Sequence, residues 1–470
     1  MVVWGDILGL IIRRIPSTGH HTTLHPGIRM TAQNSSPINS GTNLDPWFGH
    51  YAARAAGLSA SEVRALFAVA SRPEVVSLAG GMPFVSALPS ELIRQSFDRV
   101  MVDSGPQALQ YGSGQGTPEL REQILEIMAL EGIRGSVDDV VVTTGSQQGL
   151  DLVTKLFINP GDVVLAEAPS YVGAIGVFRS YQAEISQIAM DASGLVPAAL
   201  RERITALKMA GKTIKFLYTI PNFHNPAGVT LSWERRLEIL EICRSEEILV
   251  LEDNPYGLLY FDGPPPQAMR SVETDGVVYL GSFSKTLAPG FRIGWALAPH
   301  AIREKLILAN ESAILSPSSF SQFVVSEYLR SSDWKAQINT FRGVYRERRD
   351  AMLGALEENL PDLSWTIPNG GFYVWVTLPA QIDSKSMLPR AVKELVAYTP
   401  GTAFYAHGEG RQSMRLSFCY PTTDAIRLGI RRLSGVINGE RELLNTFAPT
   451  GSFTSIRGND KITTPPPNVN

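Results

Sequence analysis

A lysine follows a predicted buried strand and a turn of small residues in the segment Gly281-Ser-Phe-Ser-Lys-Thr. At such a place the Lys285 amine is partly desolvated, which lowers the pKa of its ammonium and makes it a nucleophile toward an aldehyde. Arg292, in Gly290-Phe-Arg-Ile-Gly, can direct two N–H donors onto a phosphate. Each residue alone also has an ordinary explanation, as a turn lysine or as a surface arginine in an ion pair.

A carboxylate stands at the carboxyl end of the apolar run Ile248–Leu251. Burying Asp253 there is costly unless a cationic group pairs with it, and a protonated pyridine nitrogen is such a partner. Tyr256 and Asn225 can contact the phenolic oxygen of the same ring. The alternatives are an N-cap or Asx turn at Asp253-Asn-Pro and an ordinary turn at Asn225-Pro-Ala-Gly.

The turn Thr144-Gly-Ser-Gln-Gln-Gly opens a predicted helix, so Ser146 and Gln147 lie where a phosphate can bind, although Ser146 is equally suited to be a plain helix N-cap. Tyr171 can stack on a flat ring or pack in the core. Arg415 stands among apolar neighbours, and its partner is either a substrate carboxylate or a structural carboxylate. His224 has no second ligand candidate at metal spacing, so we predict no metal site.

These residues follow strand ends in a chain that alternates β-rich and helical segments. The predicted strands are Val140–Thr143, Val163–Glu167, Ile214–Thr219, Ile248–Glu252, Val277–Leu280 and Ile293–Leu297. Helices are predicted to begin near Ser146, to run from about Ser170 to Tyr181, and to follow an N-cap at Ser232. The alternation predicts a mostly parallel sheet with helices on both faces, where ligands bind beyond the carboxyl ends of the strands.

The pattern changes after about Ala301, where a long helical region runs to about Leu360 and strands follow at Phe372–Leu378 and Met414–Phe418. This part predicts a smaller α+β domain. The predicted organisation is a disordered leader (1–44), an N-terminal segment packing with the small domain (45–109), a large domain (110–330), the small domain (331–448) and a disordered tail (449–470). Met30 is an alternative start of translation.

Composition excludes several classes of function for the 470 residues. A formal net charge of -3 gives no basic footprint for nucleic acid. The two cysteines, Cys243 and Cys419, cannot form a disulfide framework or a multi-thiolate metal site, and they suit a reduced cytoplasmic protein. No uninterrupted apolar stretch of about 18 residues exists, so no membrane span is expected.

The order and spacing of the candidate residues resemble the class I and II aminotransferases of pyridoxal phosphate (PLP) fold type I, over about residues 65–440. The matching positions are Ser146-Gln147, Tyr171, Asn225-Pro-Ala-Gly, Asp253-x-x-Tyr256, Ser282-x-Ser284-Lys285, Arg292 and Arg415. Within the family the chain is most similar to the α-aminoadipate and kynurenine aminotransferase branch, through Ser77-Leu-Ala-Gly-Gly-Met-Pro, Gln110-Tyr-Gly-Ser-Gly-Gln-Gly and Pro221-Asn-Phe-His-Asn-Pro. His224 stands where glutamine is common in that branch.

The resemblance implies an α/β fold like that of aspartate aminotransferase, with a large domain on a mostly parallel central sheet flanked by helices and a smaller α+β domain. It implies that Lys285 holds PLP as a Schiff base and that Asp253 pairs with the pyridine nitrogen. The remaining implied roles are contact with the ring oxygen for Asn225 and Tyr256, stacking for Tyr171, phosphate binding for Ser146, Gln147, Ser282, Ser284 and Arg292, substrate binding for Arg415, Asn225 and Gly81, and contact with the neighbouring subunit's phosphate for Tyr111.

The predicted activity is therefore PLP-dependent transfer of an amino group from an L-amino acid to a 2-oxo acid, 2-oxoglutarate being expected, by a ping-pong mechanism in a homodimer. The donor is expected to be of the 2-aminoadipate, aromatic or long aliphatic type. A PLP-dependent C–S lyase or another fold type I enzyme is the main alternative, because the fold alone does not choose the reaction. A non-catalytic regulator and a catalytically dead interaction protein rank lower.

Overall fold

The computed structural model describes residues 47–58, 72–447 and 462–463. The chain divides into the units Met1–Tyr51 and Ala52–Asn470. Within the described part of the first unit there is one short 3-10 turn, Phe48–His50. The predicted disordered leader lies outside the described residues, and so does the predicted tail apart from residues 462–463.

The second unit alternates strands and helices along the chain. Its strands are β1 (Val76–Ser77), β2 (Val140–Thr143), β3 (Val163–Ala168), β4 (Glu184–Asp191), β5 (Gly194–Leu195), β6 (Ile214–Thr219), β7 (Leu249–Asp253), β8 (Val277–Ser282), β9 (Gly294–Leu297), β10 (Ser364–Ile367), β11 (Tyr373–Thr377), β12 (Val396–Ala397), β13 (Thr399–Pro400), β14 (Ser413–Ser417) and β15 (Ile462–Thr463). Its helices are α1 (Ser90–Ala108), α2 (Pro118–Ala129), α3 (Ser146–Phe157), α4 (Val172–Ser180), α5 (Pro197–Met209), α6 (Trp233–Ser245), α7 (His300–Ile314), α8 (Ser319–Ser331), α9 (Trp334–Asn359), α10 (Ser384–Lys393) and α11 (Thr423–Phe447).

The central sheet has 8 strands in the order β2-β9-β8-β7-β6-β3-β4-β5. Neighbours from β8 through β7, β6 and β3 to β4 are parallel, whereas β9 and the short β5 run antiparallel to their neighbours. Helices cover both faces: α3, α4 and α7 pack on one through Leu150, Phe178 and Leu306, and α5 and α6 on the other through Leu200 and Ile239. The predicted mostly parallel sheet is confirmed.

A second sheet, in the order β13-β14-β11-β10-β15, forms the smaller α+β part. Strands β13, β14, β11 and β10 run antiparallel to one another in that order, and β15 pairs in parallel with β10. Helices α9 and α11 pack against it, with Phe341 and Met352 from α9 and Ile430 and Leu433 from α11 in one buried cluster. The predicted fold class, a large α/β part with a smaller α+β part, is therefore confirmed.

Within residues 76–108, the chain contacts both the larger and the smaller part. Strand β1 pairs in parallel with β12 of the smaller part. Helix α1 packs instead on α8, where the rings of Phe97 and Phe320 lie 5.5 Å apart and Val100 meets Val324. The predicted boundary at residue 109 and the other domain limits stay predictions.

Most predicted strands lie within two residues of their observed positions, and Ser232 caps α6 by accepting from the backbone N–H of Arg235. Several short strands were not predicted, and some other details differ. The cap position of α3 is Gly145, so Ser146 is the first helical residue and makes no N-cap hydrogen bond. Strand β4 was not expected, because polar residues interrupt its apolar ones. Residues 462–463, placed in the predicted disordered tail, pair with the edge strand β10 through backbone hydrogen bonds.

None of the helices within the described ranges combines the length and the apolar composition that crossing a membrane demands.

Candidate active site

A cavity of about 360 Å³ lies where strands β2, β3, β6, β7 and β8 end at their carboxyl termini. Its volume falls within the range of small-molecule sites. The predicted residues that line it are Gly81, Ser146, Tyr171, Asn225, Asp253, Tyr256, Ser282, Ser284, Lys285 and Arg415. The structure thus brings together side chains that are up to several hundred residues apart in sequence, at the sheet edge where α/β proteins bind ligands.

Lys285 follows β8 and enters this cavity. Its Nζ donates a hydrogen bond to the carbonyl oxygen of Gly81 at 2.9 Å and lies 5.7 Å from the centre of the Phe372 ring. Burial disfavours the ammonium and lowers the pKa of Lys285 to about 8, with the positive charges of Arg415 and Arg292 adding to the effect. The amine is therefore much easier to deprotonate than that of an exposed lysine.

Asp253 is the last residue of β7 and is 5% exposed. Its Oδ2 accepts a hydrogen bond from the Tyr218 hydroxyl at 2.8 Å, whereas Oδ1 is buried and has no hydrogen-bond partner among the described residues. Burial raises the pKa of Asp253 to about 6; the Tyr218 bond opposes this shift and the negative charge of Glu167 adds to it. A buried carboxylate oxygen without a partner is costly, so this atom is suited to a cationic N–H from a ligand.

Arg415 and Asn225 form the other polar contact of the cavity. Arg415 Nη1 donates to Asn225 Oδ1 at 2.8 Å, and Nη2 donates to the carbonyl oxygen of Ala79 at 2.6 Å. The guanidinium stacks over the Tyr373 ring at 4.2 Å and lies 4.9 Å from the Phe404 ring. Within the described ranges, Arg415 pairs with no carboxylate and its Nε is buried without a partner. The alternative of a structural ion pair is thus not found there, and the guanidinium can bind an incoming carboxylate.

Hydroxyl groups and an arginine gather at the start of α3. Ser282 Oγ lies 2.8 Å from Ser284 Oγ, and both residues line the cavity with Ser146. Arg292 is exposed and does not line it; its Nη2 donates to the carbonyl oxygen of Thr144 at 3.0 Å, in the turn before the helix. This group of donors beside a helix N-terminus is suited to a phosphate.

Gly145 and Gly294 allow these elements to approach closely. Gly145 has φ 78, and a Cβ there would lie 2.5 Å from Arg292 Nη2. A Cβ on Gly294 would lie 2.4 Å from the backbone nitrogen of Ser146. Larger residues at either position would push β9 and the Arg292 side chain away from the turn.

Tyr171 precedes α4 and lines the cavity, and Gln147 lies next to it. The Tyr171 hydroxyl donates to Gln147 Oε1 at 3.2 Å, while Gln147 Nε2 donates to the carbonyl oxygen of Gly173 at 3.2 Å. Burial raises the pKa of Tyr171 to about 12, and the nearby Asp253 carboxylate contributes to the shift. Gln147 is thus linked to the cavity through its hydrogen bond with Tyr171 and is not itself among the lining residues.

Gly81, in the segment between β1 and α1, packs tightly on Tyr373, which was not among the predicted site residues. The Tyr373 hydroxyl lies 3.4 Å from that of Tyr256, and a Cβ on Gly81 would lie 2.0 Å from the same oxygen. Glycine is therefore required at position 81 if both tyrosines keep their places. The sequence did not indicate a role for Tyr373, because this residue stands in an ordinary alternating strand.

Two other predicted positions lie apart from the cavity. Tyr111 is 79% exposed and does not line the cavity of its own chain. His224 is fully buried, with Nδ1 accepting from the Ala227 N–H at 3.2 Å and Nε2 3.0 Å from Glu167 Oε2. The described residues contain no group of three or more His, Cys, Asp or Glu side chains that could hold a metal ion. His224 therefore anchors the loop that carries Asn225.

The residues fit the cofactor that the resemblance implies. The Lys285 amine, the unpartnered Asp253 oxygen and the serine hydroxyls line one cavity. Lys285 would hold the PLP aldehyde carbon, Asp253 the ring nitrogen, and Ser146, Ser282 and Ser284, with Arg292 close by, the phosphate. Sequence reasoning did not identify Tyr218 and Glu167, the buried partners of this set, because both stand inside strands that read as ordinary core.

Comparisons with known proteins agree with this geometry. Residues 74–433 match the family described as aminotransferase class I and II. The chain is 44% identical over 395 residues to aromatic-amino-acid aminotransferase 1 of Thermococcus litoralis, covering 83% of this chain and 94% of that protein. It is 35% identical over 398 residues to 2-aminoadipate transaminase of Thermus thermophilus, covering 84% and 98%.

A solved structure gives the same result in three dimensions. The Pyrococcus horikoshii kynurenine aminotransferase structure superposes with a TM-score of 0.81 at 41% identity, covering 85% of this chain and 99% of that chain. The family model spans most of the chain, and the cavity holds the residues that PLP chemistry requires. The chain therefore belongs to the class I and II aminotransferases and is a PLP-dependent aminotransferase of fold type I.

Proposed function

We propose that this aminotransferase moves the amino group of an aromatic, long aliphatic or 2-aminoadipate-type L-amino acid to a 2-oxo acid, with 2-oxoglutarate as the acceptor, by a ping-pong mechanism. The names of the relatives support the aromatic and 2-aminoadipate classes. The observation that carries the proposal is one cavity lined by the Lys285 amine, an unpartnered oxygen of Asp253 and a guanidinium without a carboxylate partner among the described residues.

Bound PLP supplies an aldehyde for the amino group and a cationic ring that withdraws electrons from the substrate's Cα. The chain's own groups do the rest. Arg415 binds the α-carboxylate through its planar fork, and the Tyr373 and Phe404 rings hold that fork in place. Asn225 links the arginine to the loop after β6, so that substrate and ring are oriented together.

Lys285 acts as nucleophile first and as base afterwards. With PLP bound, its amine would be the group that bonds to the aldehyde carbon, and once free the same amine would take the proton from the substrate's Cα. The low pKa of about 8 suits both tasks, because a large fraction of a free amine is neutral near pH 8. Asp253 keeps its negative charge beside the ring nitrogen, and its Tyr218 bond opposes protonation.

We further propose a homodimer in which Tyr111 reaches the phosphate site of the neighbouring subunit. The exposed position of this tyrosine supports the proposal, since 79% of its surface is free to contact another chain. A cytoplasmic location is proposed because both cysteines, Cys243 and Cys419, are free and buried. The division into a large domain (110–330) and a small domain (331–448) is proposed from the sequence.

An assay of purified protein with PLP and 2-oxoglutarate tests the function. The donors would be the protein amino acids, 2-aminoadipate and kynurenine, and glutamate formation would be measured. Donors with aromatic, long aliphatic or 2-aminoadipate side chains are expected to give the highest kcat/KM. Release of ammonia and pyruvate from sulfur amino acids without any oxo acid would instead identify a lyase and contradict the proposal.

The pKa of Lys285 predicts how quickly the apoenzyme captures PLP. Only the neutral amine attacks the aldehyde, so the rate constant for covalent attachment at Lys285 is expected to rise with pH and to level off above about 8. Borohydride trapping followed by mass analysis of the peptide that contains residue 285 gives this rate, separate from reaction at surface lysines. A rate constant still rising at pH 10, as for an exposed lysine, would contradict the depressed pKa.

A further inference from the structure

A buried tyrosine holds one oxygen of the Asp253 carboxylate. Tyr218, in β6, is fully buried, and its hydroxyl donates to Asp253 Oδ2 at 2.8 Å. The other oxygen, Oδ1, has no hydrogen-bond partner within the described part of the chain, and Asp253 lines the cavity. The two oxygens of one carboxylate are therefore in different situations, one bonded within the protein and one available to a ligand.

Thr219, next to Tyr218 on β6, binds a second buried carboxylate, that of Glu167. Thr219 Oγ1 donates to Glu167 Oε1 at 2.7 Å, and the Ile220 N–H donates to Glu167 Oε2 at 2.9 Å. His224 Nε2 also lies 3.0 Å from Oε2. Both oxygens of Glu167 are thus engaged within the protein, and this carboxylate does not line the cavity. Two consecutive residues of β6 therefore bind two different carboxylates: Thr219 helps to engage both oxygens of Glu167, whereas Tyr218 leaves one oxygen of Asp253 without a partner.

We propose that Tyr218 is a positioning residue of this enzyme, which holds Asp253 by Oδ2 so that Oδ1 faces the ring nitrogen of the cofactor. The inference rests on the proposed role of Asp253 in the function described above. A carboxylate on a strand end can otherwise rotate about its side-chain bonds, and a fixed hydrogen bond removes that freedom. Tyr218 contacts neither the cavity nor the reacting atoms, and it acts through Asp253 alone.

The hydrogen bond also has an electrostatic effect. Donation to a carboxylate favours its charged form, which opposes the effects of burial and of Glu167 on Asp253. Burial, with the nearby Asp253 charge, raises the pKa of Tyr218 well above its usual range, so the hydroxyl remains a donor at every pH where the enzyme works. Without this bond Asp253 would be more basic, and it would compete more strongly with the cofactor's ring nitrogen for a proton.

The substitution Tyr218→Phe in the PLP-loaded enzyme tests the inference. With PLP labelled with 15N in the ring, the NMR chemical shift of that nitrogen reports whether it is protonated. We expect the protonated fraction of the ring nitrogen to fall. We also expect kcat to drop about 10- to 100-fold, which is the effect of losing one hydrogen bond to a charged group. The KM for the amino acid is expected to stay within about twofold, because the substitution leaves Arg415 untouched.

Two comparisons separate positioning from a general loss of stability. Tyr398→Phe removes another buried hydroxyl, whose partner is the Ser384 carbonyl oxygen at 2.5 Å, and is expected to leave the 15N shift unchanged. In an Asp253→Asn background the additional effect of Tyr218→Phe on kcat is expected to disappear. An unchanged 15N shift in Tyr218→Phe, or an equal loss of kcat in both backgrounds, would overturn the inference.

The experiment also distinguishes the inference from the function on which it depends. If the wild-type enzyme binds PLP with an unprotonated ring nitrogen, the proposed role of Asp253 fails before Tyr218 is considered. If the wild-type nitrogen is protonated and the variant's is equally so, only the role of Tyr218 fails.

Discussion

Replacement of Lys285 with alanine is expected to lower kcat by at least about 10³-fold, since general base catalysis alone contributes roughly 10²–10⁴-fold. The loss has two physical sources. The variant lacks the amine that lies 2.9 Å from the Gly81 carbonyl oxygen and is proposed to bond to the aldehyde, and among the described residues no other lysine lines the cavity. PLP is still expected to bind non-covalently, because the groups around the ring nitrogen and the phosphate remain.

Borohydride reduction followed by mass spectrometry measures the covalent bond, and steady-state assays measure kcat. Lys215→Ala is a suitable control, because this lysine is also partly buried but pairs with Asp162 at 3.4 Å at the other end of β6. Lys215→Ala is expected to retain both the covalent bond and turnover. A Lys285→Ala enzyme that keeps a reducible bond to PLP, or keeps normal turnover, would show that the assignment is wrong.

Replacement of Arg415 with alanine is expected to reduce kcat/KM about 10²- to 10³-fold, as for the loss of one partner of a buried charge pair. The guanidinium is 3% exposed, is stacked on Tyr373, and faces no carboxylate within the described residues. An incoming α-carboxylate supplies the missing negative charge, so the loss should fall mainly on KM.

Arg415→Lys separates charge from geometry. The lysine keeps a positive charge but loses the planar fork and the stacking on Tyr373, so an intermediate loss of kcat/KM is expected. Amine donors that lack the carboxylate should react equally slowly with all three enzymes. An Arg415→Ala enzyme with an unchanged KM for amino acids and unchanged inhibition by simple carboxylates would contradict the proposed contact.

The sequence was sufficient to predict the large α/β part of the fold. Strands β2 and β6 were both predicted with their observed bounds, and in β2 a continuous apolar run marks a strand buried on both faces. Strand β4 (Glu184–Asp191) was not found, since it lies near one edge of the sheet, where polar and charged residues face solvent. Paired two-residue strands such as β1 and β12 carry no periodicity, so only the folded chain reveals them.

The site was predictable where function imposes a residue at a strand end or in a turn. Asp253 is the last residue of a strand, Lys285 and Asn225 come a few residues after strands, and all three line one cavity. Tyr218 and Glu167 could not be found in this way, because a tyrosine or glutamate inside a buried strand looks like core or an edge position. Their significance depends on which side chain they meet across the sheet, and a linear pattern does not contain that information.

One consequence concerns the evolution of stability in this enzyme. Arg292 has φ 55 and ψ 42, a left-handed backbone that is unfavourable by about 1–2 kcal/mol for residues with a Cβ, and it is held there just before β9. Glycine at this position would relax the backbone but remove the charge beside the helix N-terminus. Selection for heat resistance alone would therefore favour losing the arginine, whereas its proposed contact with the cofactor phosphate would retain it. A laboratory search for hardier variants should screen position 292 for activity as well as melting temperature.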